Sequence, residues 1–257
     1  MELEEPRSYA EARQSKDWRL WIGASDEEMT SLEKNETWEY VKRPKDQKVI
    51  GCKWIYKLKP EIPGLEPPRY KGRLVAKGYA QIEGIDYNDV FAPVVKHVSI
   101  RILLSAVVNY DLELEQLDVK TAFLHGILKE RIYMEQPEGY VLKGKEDMVC
   151  LLKKSLYGLK QSPREWNHRF DNFMMKQDYR RSEYDPCVYL KGSAVKDMVY
   201  LLIYVDDMLI ASKQMDKIQK LKDQLSTEFE MKDLGHARKI LGMDILRDRK
   251  NSSLVLS

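Results

Sequence analysis

Apolar positions recur along this chain with two different periods, and the switches between them mark out its elements. Near the start, Trp18, Trp21, Ile22, Met29 and Leu32 return at roughly helical spacing, and Ser8 with Glu11 has the form of a capping box. A helical region packed on the outside is predicted here. Residues 49–59 and 70–81 read as paired strands, separated by the Pro- and Gly-rich residues 60–68, which suit a loop. Residues 98–110 are apolar enough for a buried helix, and Leu112, Leu114, Leu117 and Val119 describe a strand running directly into Asp118. A loop at residues 135–139 precedes a short strand at 148–152 and a glycine turn at Gly158. The next helix is the best signalled: Ser162 to cap it, Pro163 at its first position, Glu165 to complete a capping box, and Trp166, Phe170, Phe173 and Met174 on one face. Strands are predicted at 187–190, 198–204 and 208–212, then an amphipathic helix carrying Ile218, Leu221, Leu225 and Phe229, then a last strand over about 239–246. Helices thus alternate with adjacent antiparallel hairpins and not with isolated parallel strands. The pattern predicts an α+β fold, a sheet with helices packed on one face.

Composition narrows the class. With 43% hydrophobic and 33% charged residues among 257, the chain can bury a substantial core and keep a solvated surface. No apolar stretch approaches the ~20 residues needed to span a bilayer. The acidic start is unlike a signal peptide, so an intracellular protein is expected, in a cytoplasmic particle or the nucleus, not secreted and without a membrane partner. Cys52, Cys150 and Cys187 are odd in number and far apart, which suggests reduced core residues and neither a disulfide framework nor a zinc site. The four histidines are scattered, leaving carboxylates as metal ligands and a hard ion such as magnesium as the metal. Net charge is only +2, yet residues 1–40 hold 11 acids and 5 bases while residues 42–77 hold 11 bases and 3 acids. The second stretch could meet phosphates, although lysines and arginines on strands are commonly just solvated faces.

Two segments carry the candidate chemistry. Tyr204-Val205-Asp206-Asp207 lies between apolar runs, so both carboxylates fall at the tip of a buried hairpin, where a tight turn lets them project from the same end of a sheet. Asp is favoured in turns, and this segment alone is equally well read as an ordinary hairpin. Asp118, at the end of another apolar strand within Leu117-Asp118-Val119-Lys120-Thr121-Ala122-Phe123, shifts the balance. Three clustered aspartates repel one another unless divalent cations neutralise them. Two magnesium ions in such a pocket serve in-line phosphoryl transfer, as in polymerases and nucleases.

These two segments resemble motifs A and C of reverse transcriptases, specifically of the copia type. Four others match that type: Lys53-Trp54-Ile55-Tyr56-Lys57, Tyr70-Lys71-Gly72-Arg73-Leu74-Val75-Ala76-Lys77-Gly78, Tyr133-Met134-Glu135-Gln136-Pro137, and Leu156-Tyr157-Gly158-Leu159-Lys160-Gln161-Ser162-Pro163. The resemblance covers nearly the whole chain. It implies a polymerase right-hand fold, with residues 1–93 as N-terminal helices and fingers hairpin, 94–124 as the first part of the palm, 125–161 as further fingers, and 162–257 as the rest of the palm with the thumb absent or incomplete. It implies two Mg2+ ions, with Mn2+ as substitute, on Asp118, Asp206 and Asp207. It implies nucleotide contacts from Arg73 and from Lys57 or Lys59. Phe123 would sit under the nucleotide sugar, or else be an ordinary core residue. Gly158 would form the motif B turn, where a missing side chain permits close backbone approach. Retroviral enzymes have Gln just before that glycine; here Tyr157 stands there and is expected with Gly158 at the nucleotide, while the glutamine's role does not pass to Gln161 across the turn. Ile240-Leu241-Gly242-Met243-Asp244-Ile245 resembles the primer grip, centred on Leu241, Gly242 and Met243, and is equally an edge hairpin with a glycine bend. The implied partners are an RNA or DNA template with a DNA primer, deoxynucleotides, and the RNase H and integrase parts of a parent Pol polyprotein. Two other functions remain open: a truncated, catalytically silent nucleic-acid-binding relic, and another palm-type two-metal nucleotidyl transferase.

Overall fold

The structure, a computed structural model, describes residues 5–59, 68–194 and 196–257, so the loop predicted at 60–68 lies, except for Pro68, outside the described residues. In chain order the elements are α1 (Tyr9–Gln14), α2 (Trp18–Lys34), β1 (Trp38–Lys42), β2 (Val49–Ile50), β3 (Cys52–Lys59), β4 (Arg69–Ala76), α3 (His97–Asn109), β5 (Glu113–Val119), β6 (Ile127–Met134), β7 (Met148–Lys154), α4 (Ser162–Lys176), β8 (Arg180–Arg181), β9 (Val188–Lys191), β10 (Val199–Tyr204), β11 (Asp207–Ser212), α5 (Met215–Glu228), β12 (Met231–His236), β13 (Lys239–Ile240), β14 (Met243–Asp248) and β15 (Ser253–Leu256). The fold is α+β and its sheets are antiparallel, except that β2 runs parallel to β6 over Val49↔Tyr133 and Ile50↔Met134. The chain forms two compact units, Met1–Phe91 with Phe123–Trp166, and Ala92–Ala122 with Asn167–Ser257.

In the first unit α1 starts at Ser8, whose Oγ accepts from Glu11 N at 3.1 Å. The return bond goes one residue further back, Arg7 N donating to Glu11 Oε2 at 2.8 Å, so only half of the reciprocal box forms. The region expected to pack on the outside is instead a wall of the core. Trp21, Met29 and Leu32 share one face of α2 and bury against Trp54, Tyr56 and Leu74 of the β3–β4 hairpin. The Trp21 ring meets Tyr56 and Tyr70 edge-on, at 5.5 and 4.5 Å. Burying each such large side chain is worth about 1.5–3 kcal/mol. Trp18, one turn earlier at the start of the helix, stays 45% exposed. A four-stranded sheet in the order β1-β7-β6-β2 completes this unit, and its β1 and β6 are strands that the apolar pattern does not predict. Ser162 Oγ donates to Leu156 O at 2.6 Å and Glu165 N donates to Gln161 O at 3.0 Å, so Ser162 is already inside α4 and the expected capping box is absent. Pairing a hydroxyl with a nearby carbonyl competes with capping, which is why a cap signal can slip by one residue.

The second unit holds a six-stranded antiparallel sheet in the order β12-β5-β11-β10-β9-β8. Tyr189, Leu201, Ile210 and Glu115 are successive cross-strand partners and share one face. Phe170 of α4 packs on Tyr189 at 5.6 Å and Lys222 of α5 reaches Glu115, so these two helices cover that face. The other face is buried as well at Leu202, Leu209 and Ala211. The long apolar runs around the aspartates have this cause, since a strand covered on both sides shows no alternation. Helix α3 has no cap of its own; the buried Asp185 supplies one, accepting from Lys96 N at 2.9 Å and Ser99 Oγ at 2.5 Å. Val98 and Ile102 are each 64% exposed, so α3 is amphipathic and not buried all round as expected. The last predicted strand is broken: Leu241 and Gly242, with φ of +51° and +82°, form a tight turn between β13 and β14. Strands β12 and β15 are further elements not predicted. Cys150 and Cys187 are buried and Cys52 half-buried, and burial pushes the Cys52 and Cys187 thiols up to about 11 and about 12. No helix of the described residues is long and apolar enough to cross a membrane.

Candidate active site

In the second unit, β10 turns into β11 through Val205 and Asp206, with Tyr204 paired to Asp207. Val205 has φ +54°. A β-branched residue held in the left-handed region costs on the order of 1–3 kcal/mol, and such strain collects at functional sites. Strand β5 lies beside β11 in a register that sets Asp118 directly opposite Asp207, and Val119 N donates to Asp206 O at 2.9 Å. On the far side of β5, β12 sets Lys232 opposite Asp118. Tyr204, Asp207, Asp118 and Lys232 therefore form one row across four strands, with side chains on the same face. Directly opposed residues have Cβ atoms about 4.5–5.5 Å apart, and like charges so placed destabilise the sheet. The three aspartates are half-buried. Among the described residues no three His, Cys, Asp or Glu side chains are already gathered into a metal-holding group. The register brings the oxygen donors to one end of the sheet, and an all-carboxylate set suits a hard divalent cation.

Two features of this region escape sequence reasoning. Lys232 sits on a strand too polar to announce itself. Thr121, three residues past Asp118, has φ +51°, and its Oγ1 is buried without a hydrogen-bond partner. A second β-branched residue is thus strained beside the aspartates, on the other segment that carries them.

Behind the row, a buried cation ties the strands together. Lys222 Nζ donates to Glu115 Oε2 at 2.7 Å and Asp233 Oδ1 at 2.8 Å, linking α5 to both β5 and β12. Burial works against the Lys222 charge, but its bonds to Asp233 and Glu115 prevail and hold its pKa above the usual lysine value. Burial likewise works against the Asp233 carboxylate, and the bond from Lys222 overcomes it, leaving its pKa below normal.

In the first unit, the β3–β4 register pairs Lys57 with Lys71 and Lys59 with Arg69, and sets Arg73 opposite Ile55. With Lys53, opposite Val75, six cations thus share one face of this hairpin, while Trp54, Tyr56 and Leu74 bury the other. Burial first, then the nearby Arg73, Lys59 and Arg69, lower the pKa of Lys71 on this cationic surface, with Glu28 opposing them. Such a surface is costly alone and relieved by an anion. Of the two lysines expected beside Arg73, Lys57 is already paired with Glu5.

The turn at Gly158 docks on the end of β4. Ala76 N donates to Tyr157 O at 2.8 Å, and a Cβ on Gly158 would lie 2.2 Å from Ala76 O. Gly158 also has φ +92°, open to glycine at little cost. Gly158→Ala is therefore expected to destabilise the chain by about 2 kcal/mol or more, read as a lowered urea midpoint with unchanged slope. The ring of Tyr157 lies 5.0 Å from that of Phe123, edge-on, and the Arg73 guanidinium sits over it at 5.1 Å. Arg73, Phe123, Tyr157 and Gly158 are thus brought together. Gln161 is fully buried, accepting from Gln81 Nε2 at 2.9 Å and donating to Asp86 O at 2.8 Å, a structural task. Leu241, Gly242 and Met243 form the turn of the β13–β14 hairpin in the second unit.

Comparison with known proteins gives a consistent picture. The profile of the family described as reverse transcriptase (RNA-dependent DNA polymerase) matches residues 35–256. The retrovirus-related Pol polyprotein from transposon TNT 1-94 of Nicotiana tabacum is 52% identical over 253 residues, covering 98% of this chain and 19% of its own length. That from transposon RE1 of Arabidopsis thaliana is 38% identical over 244 residues, covering 95% of this chain and 16% of its own. The chain thus spans less than a fifth of the length of these relatives. Among solved structures, an apo telomerase from Candida tropicalis, truncated from its C-terminal domain, aligns with 93% of this chain and 60% of its own at TM-score 0.46 and 11% identity.

Proposed function

This chain belongs to the reverse transcriptase (RNA-dependent DNA polymerase) family, copia type, and from that premise we propose that it adds deoxynucleotides to a primer 3′-hydroxyl on an RNA or DNA template, releasing pyrophosphate. The observation that carries the reading is the strand register that sets Asp118 opposite Asp207, with Asp206 at the adjoining turn.

Asp118, Asp206 and Asp207 would hold the divalent cations, magnesium with manganese as substitute. When bound, these ions supply Lewis-acid activation of the primer hydroxyl and neutralise the leaving pyrophosphate. The chain's own part is positioning and charge. The β5–β11 register fixes two carboxylates relative to each other, the strained Val205 turn presents the third, and Lys232 adds a cation to the same row. The cationic face of the β3–β4 hairpin, Arg73 foremost, binds the triphosphate, with Lys59 better placed than the Glu5-paired Lys57 to assist. We read the unit holding the aspartates as the palm of a right-hand polymerase and the other as its fingers, with the Leu241–Gly242 turn as primer grip. The remaining Pol domains of a parent polyprotein would be its partners inside the cell.

Primer extension with an RNA template, a DNA primer and magnesium tests the reading. Extended product supports it, product on DNA templates alone points to a DNA-directed transferase, and no product on either points to a silent relic. Phe123→Ala is expected to admit ribonucleotides, raising their incorporation relative to deoxynucleotides by roughly tenfold or more, since a ring that excludes a hydroxyl by contact is worth about 1–3 kcal/mol. Unchanged sugar selection in that assay would remove Phe123 from the site.

A further inference from the structure

We infer that Tyr157 is a positioning residue of the nucleotide site, one ring that sets both the triphosphate contact through Arg73 and the sugar contact through Phe123. The inference rests on the polymerase reading above and extends it to a residue at which this chain departs from the retroviral pattern.

Three observations support it. The Arg73 guanidinium lies over the Tyr157 ring at 5.1 Å, and Phe123 meets the same ring edge-on at 5.0 Å with planes 67° apart. The ring has a fixed origin, because Tyr157 O accepts from Ala76 N at 2.8 Å, three residues along β4 from Arg73. The adjoining backbone is equally confined: a Cβ on Gly78 would lie 1.9 Å from Gly158 O, and one on Gly158 would lie 2.2 Å from Ala76 O. Arginine and ring therefore issue from two strands of backbone locked together.

A stacked guanidinium loses little freedom when it closes on a phosphate, because the ring already orients its planar fork. An amide, as in the retroviral pattern, offers a hydrogen bond but no such face. Pre-stacking acts on nucleotide binding and not on the chemical step, so its removal should raise KM and leave kcat nearly unchanged. Loosening Tyr157 also frees one side of Phe123, so selection against ribonucleotides should fall in parallel.

Single-nucleotide incorporation on an RNA template provides the test, with wild type, Tyr157→Leu, Tyr157→Phe, Arg73→Ala and the Arg73→Ala/Tyr157→Leu pair. Tyr157→Leu is expected to raise KM for the deoxynucleotide roughly 5- to 30-fold, the range of a desolvated cation–π contact. Its kcat should stay near that of wild type, Tyr157→Phe should be close to wild type in both constants, and the double variant should be little worse than Arg73→Ala alone. The inference is overturned if Tyr157→Phe is as defective as Tyr157→Leu, if the loss appears in kcat alone, or if the two penalties simply add. Tyr157→Met, which fills more of the same space, replaces Tyr157→Leu should the latter fail to fold. Deoxynucleotide affinity is also measured by calorimetry on a dideoxy-terminated primer, where no turnover occurs. A wild-type chain that binds nucleotide Tyr157-dependently but extends nothing would refute the polymerase reading while leaving the role of Tyr157 standing. Affinity indifferent to Tyr157→Leu would remove the role itself.

Discussion

Asp206→Asn is expected to lower primer extension by on the order of a thousandfold or more, about 4 kcal/mol of barrier at 1.36 kcal/mol per tenfold. The substitution is close to isosteric, and Asn is as acceptable as Asp in a turn, so the hairpin should persist. The bond that secures the turn to β5 uses the Asp206 backbone carbonyl and not its side chain, so the register beside Asp118 should survive too. What disappears is one negative charge at a site whose proposed occupants are hard divalent cations, which bind anionic oxygen in preference to an amide. Extension rate with magnesium, measured beside affinity for a primer–template duplex, separates the effects: rate falls and affinity stays. A variant that extends at the wild-type rate would show that the Asp206 carboxylate is not used.

The second large effect lies behind the sheet. Lys222→Met should destabilise the protein by about 3–5 kcal/mol, the usual cost of removing one partner of a buried ion pair. The Lys222 and Glu115 side chains are only 5% and 3% exposed, and the carboxylate left behind keeps His236 Nδ1, 2.6 Å from its Oε1, as a neighbour. Chemical denaturation provides the measure, and a loss below ~1 kcal/mol would mean that the pair is solvated in practice. The pH dependence has a definite sign on both limbs. Lys222 is raised in the folded state, so its contribution is complete below the ordinary lysine pKa and is lost as pH climbs through the raised value. Asp233 is lowered, so its contribution is present above the ordinary aspartate pKa and is lost as pH falls through the lowered one. The network of the intact protein should thus operate across the whole neutral range.

The elements that a linear pattern reveals are those whose neighbours bury them. The β10–β11 hairpin is readable because both strands are apolar at nearly every position, and α4 because Trp166, Phe170, Phe173 and Met174 recur on one face. Edge strands carry no such mark. β12 runs Met231-Lys232-Asp233-Leu234-Gly235-His236, mostly exposed and interrupted by a bulge between Asp233 and Gly235, so neither it nor Lys232 is legible before its pairing with β5 is seen. The opposition of Asp118 and Asp207 is likewise a matter of register. A slip of one residue would send one of them to the other face, and only the packing of both strands against their helices decides which pairing is adopted. Local caps fail for a related reason: Ser162 has the sequence of a cap, yet Leu156 O lies within reach and takes its hydroxyl. The cationic face of β3–β4 shows in composition as an excess of lysine and arginine, but that the charges stand opposite one another depends on the pairing of Lys57 with Lys71 and Lys59 with Arg69. Backbone strain at Val205 and Thr121 has no sequence signature, since β-branched residues ordinarily avoid that conformation.

In a polymerase site, one cation must touch carboxylates from both β5 and the β10–β11 hairpin. Crystals grown with primer–template, deoxynucleotide and Mn2+ would report this directly through the anomalous scattering of manganese. A manganese peak bonded to Asp118 and to a carboxylate of the Asp206–Asp207 pair at once is expected. Manganese found only elsewhere, or held by one of the two strands without the other, would contradict it.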